Sequence, residues 1–246
     1  MAHSGEIAMT FSALSAPTIA KHRLYYSPGS CSMAVHIVLE EIGEPYDQKL
    51  VSASGLKEGE MTATQEWKAM NPKGRVPALL GVAGRIGGAE DLLTEGPAIL
   101  IYLARTNPSA KLLPAEPAAE ARCIEWMNWL AGNVHAMSYG QIWRPQRFTN
   151  DENSFPALRI RGKENISDQY AYIESLLSDG RQWAVPEGYT VVDPYLFVFY
   201  YWGTRIDLDM RGLYPAWTRL TARTIARPAV QRMMANEGVE LFLQTD

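Results

Sequence analysis

The sequence predicts a small α/β domain followed by an all-helical domain. Over residues 22–106, short β-like runs alternate with segments of helical periodicity, which is the pattern of an α/β domain. Three prolines between residues 107 and 117 cannot lie inside a helix and indicate a linker. Beyond the linker the strand signals disappear, so residues 118–246 are expected to form only helices.

The α/β half opens with a strand, a Ser-Pro-Gly turn and a helix that ends at Gly43. The glycine-rich segment 81–91 is interpreted as a surface insertion in a hairpin, and a polar irregular stretch precedes residue 71. Apolar residues of helical spacing follow Glu95. Strands are expected at residues 23–26, 46–51, 78–81 and 92–93.

The helical half should contain four main helices, at residues 120–139, 157–178, 192–202 and 216–235, the last one broken at Pro228. Thr190 and Asp193 have the spacing of a capping box immediately before the third of these helices. The first 21 residues are interpreted as a disordered extension rather than a signal peptide, because no Lys or Arg precedes their mildly apolar middle.

Composition excludes several classes of function. The 246 residues carry a net charge of -4 from interspersed charged side chains, so no nucleic-acid surface is expected. No apolar run approaches the roughly 18 residues of a membrane span. The two cysteines are far apart and the four histidines are scattered, so neither a disulfide framework nor a metal site is predicted. A reducing, cytoplasmic location is expected.

Cys31 lies immediately after the SPGS turn, where the helix that follows begins. If Ser30 caps that helix, Cys31 occupies its first turn, where free N–H groups and the helix dipole favour a thiolate. A helix end provides at most about 2 kcal/mol, so further donors or a cation are needed for full ionisation. Ala34 stands where a dithiol reductase has its resolving cysteine. Cys31 is therefore either a functional thiol or a small buried apolar residue.

Two further stretches could hold a peptide-like ligand. Val76 precedes Pro77 in NPKGRVP and should be extended, so that its N–H and C=O can face a second peptide, and a cis bond would fix that geometry. Glu95 and Gly96 stand at a predicted helix start whose free N–H groups could receive a carboxylate. An ordinary turn and an ordinary helix cap are the alternatives.

In the helical half, Asn128, Gly132 and His135 are spaced i, i+4 and i+7, which places them on one face of an α-helix. A polar face in that segment indicates either a structural histidine or a surface that meets the first domain. Cys123 falls on the apolar face of the same helix and is interpreted as a core residue.

Five stretches together resemble the glutathione S-transferases, specifically the bacterial beta class: LYYSPGSCS, NPKGRVPAL, LTEGPAIL-YLA, IEWMNWLAGNVH and TVVDPYLF. They occur in the family's order, and the match as a whole extends over about residues 22–240. The resemblance implies a thioredoxin-like domain at residues 22–106 joined to a helical bundle domain at 118–246. It also implies a homodimer, a role in detoxification, and glutathione as co-substrate without a metal.

The resemblance implies catalytic roles for Cys31 and His135 and transfer of the glutathione thiolate to a small hydrophobic electrophile. Ala136 stands where the class usually has lysine, which removes a cation. The aromatic side chains Tyr139, Trp143, Phe148 and Trp202 are candidates for the wall of the electrophile pocket. The implied glutathione-binding residues are Cys31, Lys57, Val76, Pro77, Glu95, Gly96, Asn128, Gly132 and His135.

Two other functions stay open on the sequence. A lone reactive cysteine also suits glutathione-dependent reduction of peroxides or mixed disulfides. A non-catalytic binding protein could keep the same fold and use glutathione as a ligand.

Overall fold

The computed structural model describes residues 20–53, 61–84 and 89–243. Its first half contains a four-stranded sheet of order β2-β1-β3-β4. Strands β1 and β2 are parallel, whereas β1 with β3 and β3 with β4 are antiparallel. The four predicted strands are thereby confirmed, with bounds β1 His22–Tyr26, β2 Tyr46–Leu50, β3 Ala78–Leu80 and β4 Leu92–Thr94.

Both faces of the sheet are covered, because alternate residues of a strand point to opposite sides. Leu24 of β1 joins a large apolar core, whereas its neighbour Tyr25 packs on Trp67 in a small second cluster. Trp67 belongs to a short helix that the sequence did not predict, and Thr64 caps this helix by accepting from the Trp67 N–H. The helices of this half are α1 Ser32–Ile42, α2 Gln65–Met70 and α3 Gly96–Thr106.

The second half is helical in all its regular elements, as predicted. One long helix changes type along its length: α4 Pro117–Trp129 continues as a π-helix over Leu130–Tyr139, hereafter the π segment, and ends as α5 Gly140–Trp143. The chain then forms α6 Phe155–Leu177, α7 Val192–Thr204, α8 Met210–Leu213, α9 Pro215–Ile225 and α10 Pro228–Glu237. Short 3₁₀ turns lie at Met61–Ala63, Pro108–Ala110, Pro145–Arg147 and Glu152–Ser154.

Helix α1 joins the two halves into one core. Its residues Ser32 to Leu39 are all buried, because the helix packs against α3 on the side of its own domain and against α7 and α10 of the helical half. It ends at Gly43, which adopts a left-handed conformation with φ 76° and donates to the Leu39 C=O, as its sequence position indicated.

The predicted capping box lies at the start of α7, the most buried helix of the chain. The Asp193 carboxylate accepts from the Thr190 N–H and from the Ala184 N–H, both at 2.8 Å. Burial raises the pKa of this carboxyl to about 7, although the two N–H donors act against the rise. Asp193 therefore closes the helix end and also anchors the loop before it.

Replacing Asp193 should destabilise the protein more than removing an exposed cap. Asp193→Ala leaves two buried N–H groups without an acceptor, so we expect a loss of about 2–4 kcal/mol in the free energy of unfolding. Asp209, which caps α8 at the surface by accepting from the Gly212 N–H, is the control. Urea unfolding should show a loss of about 1 kcal/mol or less for Asp209→Ala. Equal losses for the two variants would contradict this account of the Asp193 cap.

Candidate functional site

A cavity of about 520 Å³ lies between the two halves. Its walls are the loop before α1, the approach to β3 and the start of α3 on one side. On the other side are α7 and the stretch from the π segment to the turn after α5. Nine residues predicted from the sequence line it: Cys31, Val76, Pro77, Glu95, Gly96, His135, Tyr139, Trp143 and Trp202.

The remaining predicted site residues are placed elsewhere. Asn128 and Gly132 are exposed and do not belong to the cavity wall. The prediction assumed an α-helix, in which successive residues turn by about 100°. The π segment turns less per residue, because its hydrogen bonds run from i to i+5, and His135 therefore does not share a face with Asn128. Phe148 lies behind Gly140, outside the cavity, and Lys57 falls outside the described residues.

Cys31 stands at the N-cap position of α1, one residue earlier than the sequence suggested. The Ser30 hydroxyl accepts from the Ser32 N–H at 3.2 Å, although Cys31 and not Ser30 is the N-cap residue. The Cys31 thiol donates to the Val76 C=O, with 3.4 Å between sulfur and oxygen. Burial raises the pKa of the thiol to about 12, which outweighs the lowering effects of Arg75 and Arg147. Cys31 is therefore a neutral hydrogen-bond donor at pH 7 and not the thiolate that the helix end favoured.

The segment opposite Cys31 is held in a defined shape. The Val76–Pro77 peptide bond is cis. Buried Asn71 fixes the turn before it, because its side chain donates to the Arg75 C=O at 2.8 Å and accepts from the Lys73 N–H at 3.2 Å. The Val76 backbone thus stands directly across from the Cys31 sulfur.

The start of α3 closes another side of the cavity. Glu95 is the N-cap residue and has φ 73°, a backbone conformation that is unfavourable for a residue with a side chain. Its carboxylate accepts from Lys73 Nζ at 2.7 Å, and Lys73 also donates to the Thr94 hydroxyl. A carboxylate and the free N–H groups of a helix start therefore lie side by side, which suits a ligand that carries both an ammonium and a carboxylate.

His135 projects from the π segment onto Trp202, with 5.0 Å between ring centroids. Burial lowers the pKa of this imidazole to about 4, and the positive charges of Arg147 and Arg75 contribute to the lowering. The ring is therefore neutral at pH 7. It offers one N–H donor and one acceptor nitrogen beside the cavity.

An aromatic wall is formed by Tyr139, Trp143 and Trp202, whose ring centroids lie 4.6 to 5.0 Å apart. Tyr139 is almost fully buried and its hydroxyl bonds to Tyr170, so it is chiefly a core residue whose surface reaches the cavity. Trp143 is only partly buried. The wall is suited to an apolar, planar ligand.

Gly29, two residues before Cys31, is held from the helical half through both of its peptide groups. Its N–H donates to Glu237 Oε2 at 3.0 Å, and its C=O accepts from Trp202 Nε1 at 2.9 Å. The second oxygen of Glu237 lies 2.8 Å from His36 Nδ1, and both side chains are fully buried. We call the pair of contacts from Glu237 and Trp202 the Gly29 clamp.

Sequence reasoning missed several residues of the site. Glu237 ends the last helix and lies 208 positions from Gly29, so no local pattern indicates their contact. The sequence analysis also missed the cations of the cavity wall, which come from three segments of the chain. These are Lys73, Arg75, Arg144, Arg147 and Arg205.

The described part of the chain holds no group of three or more His, Cys, Asp or Glu side chains arranged to hold a metal ion. Within the same residues, no helix combines the length and the apolar character of a membrane span.

Comparison with known proteins agrees with this geometry. Residues 20–105 match the family model of the glutathione S-transferase N-terminal domain. A glutathione S-transferase of Escherichia coli O157:H7 is 33% identical over 89% of this chain and 100% of its own length. The chain belongs to the glutathione S-transferase family.

Solved glutathione S-transferases have the same fold. A glutathione transferase homologue from Sulfitobacter, crystallised with bound glutathione, has a TM-score of 0.77 and 30% identity over 89% of this chain and 99% of its own. The bacterial beta class enzyme of Sphingomonas chungbukensis has a TM-score of 0.71 and 26% identity, covering 89% and 100%. The resemblance predicted from the five stretches is confirmed, and with it the two-part fold and the assignment as a transferase enzyme.

The chain is also similar to a protein that is called an oxidoreductase and not a transferase. This is the disulfide-bond oxidoreductase YfcG of Escherichia coli K12, which is 23% identical over 84% of this glutathione S-transferase and 91% of its own length.

The Gly29 clamp generates a prediction for this glutathione S-transferase. Glu237→Ala leaves the Gly29 N–H and the buried His36 without their carboxylate, so we expect a loss of about 3–5 kcal/mol in the free energy of unfolding. Glu237→Gln keeps an acceptor for Gly29 and should lose about 1–2 kcal/mol. Denaturant unfolding measures both, and Glu240→Ala, at an exposed position three residues after Glu237, serves as the control. A stability of Glu237→Ala equal to that of the control would contradict the clamp.

Proposed function

We propose that the enzyme binds glutathione in the cavity between its two halves and transfers the glutathione thiolate to small hydrophobic electrophiles. One observation carries the proposal: the Cys31 thiol, the cis Val76–Pro77 segment and the start of α3 converge on a single cavity. Each of the three suits a different part of a charged, extended tripeptide thiol. The bound glutathione of the Sulfitobacter homologue supports the same ligand.

In this proposal the γ-glutamyl end of glutathione lies at α3, with its carboxylate on the helix N–H groups and its ammonium beside Glu95. The cysteinyl part runs along the Val76 backbone, and its sulfur points towards Cys31 and His135. Because both side chains are neutral at pH 7, each can donate a hydrogen bond to a thiolate without carrying charge. These donors stabilise the nucleophile in its ionised state.

In the reaction, the thiolate sulfur forms a bond to the electrophilic carbon, and the leaving group departs with the electron pair of the broken bond. The proton of the thiol passes to solvent before the attack. Holding both reactants in one cavity lowers the entropic part of the barrier. The aromatic wall of Trp143, Tyr139 and Trp202 provides the apolar surface for the second substrate.

A second candidate function is reduction of mixed disulfides or peroxides with glutathione. It is favoured by the position of the partly exposed Cys31 in the cavity wall and by the similarity to the disulfide-bond oxidoreductase. Cys123 is buried in the core, so a mixed disulfide on Cys31 would be resolved by a second glutathione and not by the protein.

We also propose that the enzyme is a homodimer located in the cytoplasm and serving detoxification.

Calorimetry with glutathione and turnover of 1-chloro-2,4-dinitrobenzene and of an organic hydroperoxide test the proposal together. We expect glutathione binding and conjugation of the chlorinated ring. Absence of glutathione binding by folded protein would overturn both candidate functions. Binding with hydroperoxide reduction but no conjugation would favour the second candidate.

Replacement of Cys31 separates the two candidates. Cys31→Ser keeps a hydrogen-bond donor, so conjugation should persist, whereas reduction through a mixed disulfide should disappear. Cys31→Ala removes the donor and should raise the pKa of the bound glutathione thiol by about one to two units, since a hydrogen bond to a charged group contributes about 1.5–3 kcal/mol. The ultraviolet absorbance of the bound thiolate, titrated with pH, measures this shift. An unchanged titration in Cys31→Ala would contradict the donor role.

His135 should not contribute an ionisation to the pH dependence of conjugation. Its pKa of about 4 means that it is already neutral across pH 5–9, so kcat/KM should rise once with pH, as the glutathione thiol ionises. His135→Gln keeps a donor and should leave the midpoint of that rise within about half a unit. A pH profile in which the wild type shows a further ionisation between pH 5 and 8 that disappears in His135→Gln would contradict this assignment.

A further inference from the structure

The cavity wall carries more positive charge than glutathione neutralises. Among the described residues of the wall, five side chains are cationic and only Glu95 is a carboxylate. Cys31 and His135 are neutral at pH 7, so the described wall has a net charge of about +4. Glutathione with an ionised thiol has two carboxylates, one thiolate and one ammonium, a net charge of −2. Arg144 has a further interaction and is left out of the balance, so one positive charge stays uncompensated when the first substrate is in place.

The surplus includes Arg147 at the end of the cavity where the two substrates meet, because the charge of Arg147 acts on both Cys31 and His135. Lys73 is paired with Glu95 at the α3 wall, and Arg205 lies against Tyr201. Arg147 stands in the 3₁₀ turn Pro145–Arg147 that follows Trp143, and it lines the same cavity as the aromatic wall.

Arg75 and Arg147 have no carboxylate within ion-pair distance among the residues that the structure describes. Burial and the charges of Arg75 and Arg144 lower the pKa of Arg147, which means that these surroundings disfavour the charged form of its guanidinium. A guanidinium that lies among other cations without a protein carboxylate is suited to pair with an external anion, because planar carboxylates bind it in bidentate fashion.

We infer that the second substrate is an anionic electrophile: an apolar, planar body lies on the wall of Trp143 and Tyr139, and a carboxylate on that body pairs with Arg147. The inference rests on the proposed transferase function and narrows its substrate class. Neutral hydrophobic electrophiles fill the same pocket but leave the guanidinium unpaired, so they are the poorer substrates.

A matched pair of substrates tests the inference: 4-chloro-3,5-dinitrobenzoate and its methyl ester. In both, the glutathione sulfur bonds to the ring carbon that carries chlorine, chloride leaves with the bonding electrons, and the thiol proton goes to solvent. Each kcat/KM is divided by the rate constant of the uncatalysed reaction with glutathione, which removes the difference in intrinsic reactivity. We expect the carboxylate to be preferred at least about tenfold, the effect of one charge-assisted hydrogen-bond pair.

Arg147→Gln should remove most of this preference, which is read as the ratio of the carboxylate value to the ester value, so that an effect of Arg147 on the glutathione sulfur, common to both substrates, cancels. Arg147→Lys should retain part of the preference, because it keeps the charge without the bidentate geometry. Arg122→Gln removes the same charge from an exposed surface pair with Glu125 and is the control for net charge. Thermal unfolding checks that the variants are folded, and calorimetric Kd values of the two finished conjugates provide a readout that does not depend on turnover.

The outcomes are distinct. If the wild type conjugates both substrates without preference, the inference is overturned and the transferase function stands. If Arg147→Gln slows both substrates alike and leaves the ratio unchanged, Arg147 acts on glutathione, and the inference is likewise wrong. If neither substrate reacts although the protein is folded, the proposed function fails and the inference fails with it.

Discussion

The site depends on the way the helical half holds Gly29. The loop between β1 and α1 determines where the Cys31 sulfur lies, and Gly29 has φ +70°, a conformation that needs external support to be the only one occupied. That support comes from Glu237 and Trp202, which satisfy the two backbone groups of Gly29. Because Glu237 is itself fixed by His36 of α1, the loop, the helix that follows it and the end of α10 form one hydrogen-bonded unit. The thiol is therefore positioned by residues from both halves of the chain.

The charge distribution of the cavity follows from burial. Cys31 and His135, the two side chains that sequence reasoning placed at the reacting sulfur, are both desolvated strongly enough to be neutral. The lysine that the beta class usually has after the histidine is Ala136 here, and Ala136 does line the cavity. Positive charge enters instead through arginines from the turn after α5 and from the segment before Val76. Hydrogen-bond donors and formal charges are thus supplied by different parts of the wall.

Elements with a local cause could be predicted from the sequence. The α1 helix was bounded by turn chemistry at one end and Gly43 at the other, and the α7 start was marked by Thr190 and Asp193. Helix α2 was missed because its six residues contribute one buried side chain, Trp67, too few for a visible period. The cavity residues before α1, β3 and α3 were predicted because each lies beside proline and glycine residues that mark a turn.

The rest of the site could not be predicted, because its causes are not local. The contact of Glu237 with Gly29 is made by tertiary packing between the last helix and the first loop. The placement of Asn128 and Gly132 was predicted from an α-helical period that the chain abandons after Trp129. Over so short a stretch, the apolar pattern does not distinguish the 3.6 residues per turn of an α-helix from the wider turn of a π-helix. The arginines gave no signal either, because scattered cations are ordinary on a protein surface.

The π segment has a consequence for how this cavity could have arisen. A widened turn has the same effect as the insertion of one residue into an existing helix. The residues after the insertion rotate about the helix axis, and the residues before it keep their positions. Ser138 helps to hold the wide coil, since its hydroxyl donates to the carbonyl of Asn133, five positions back. Such an insertion turns different side chains towards the cavity and leaves the packing of the preceding part of the helix unchanged. Substrate preference in such a scaffold can therefore diverge through helical phase as well as through side-chain identity.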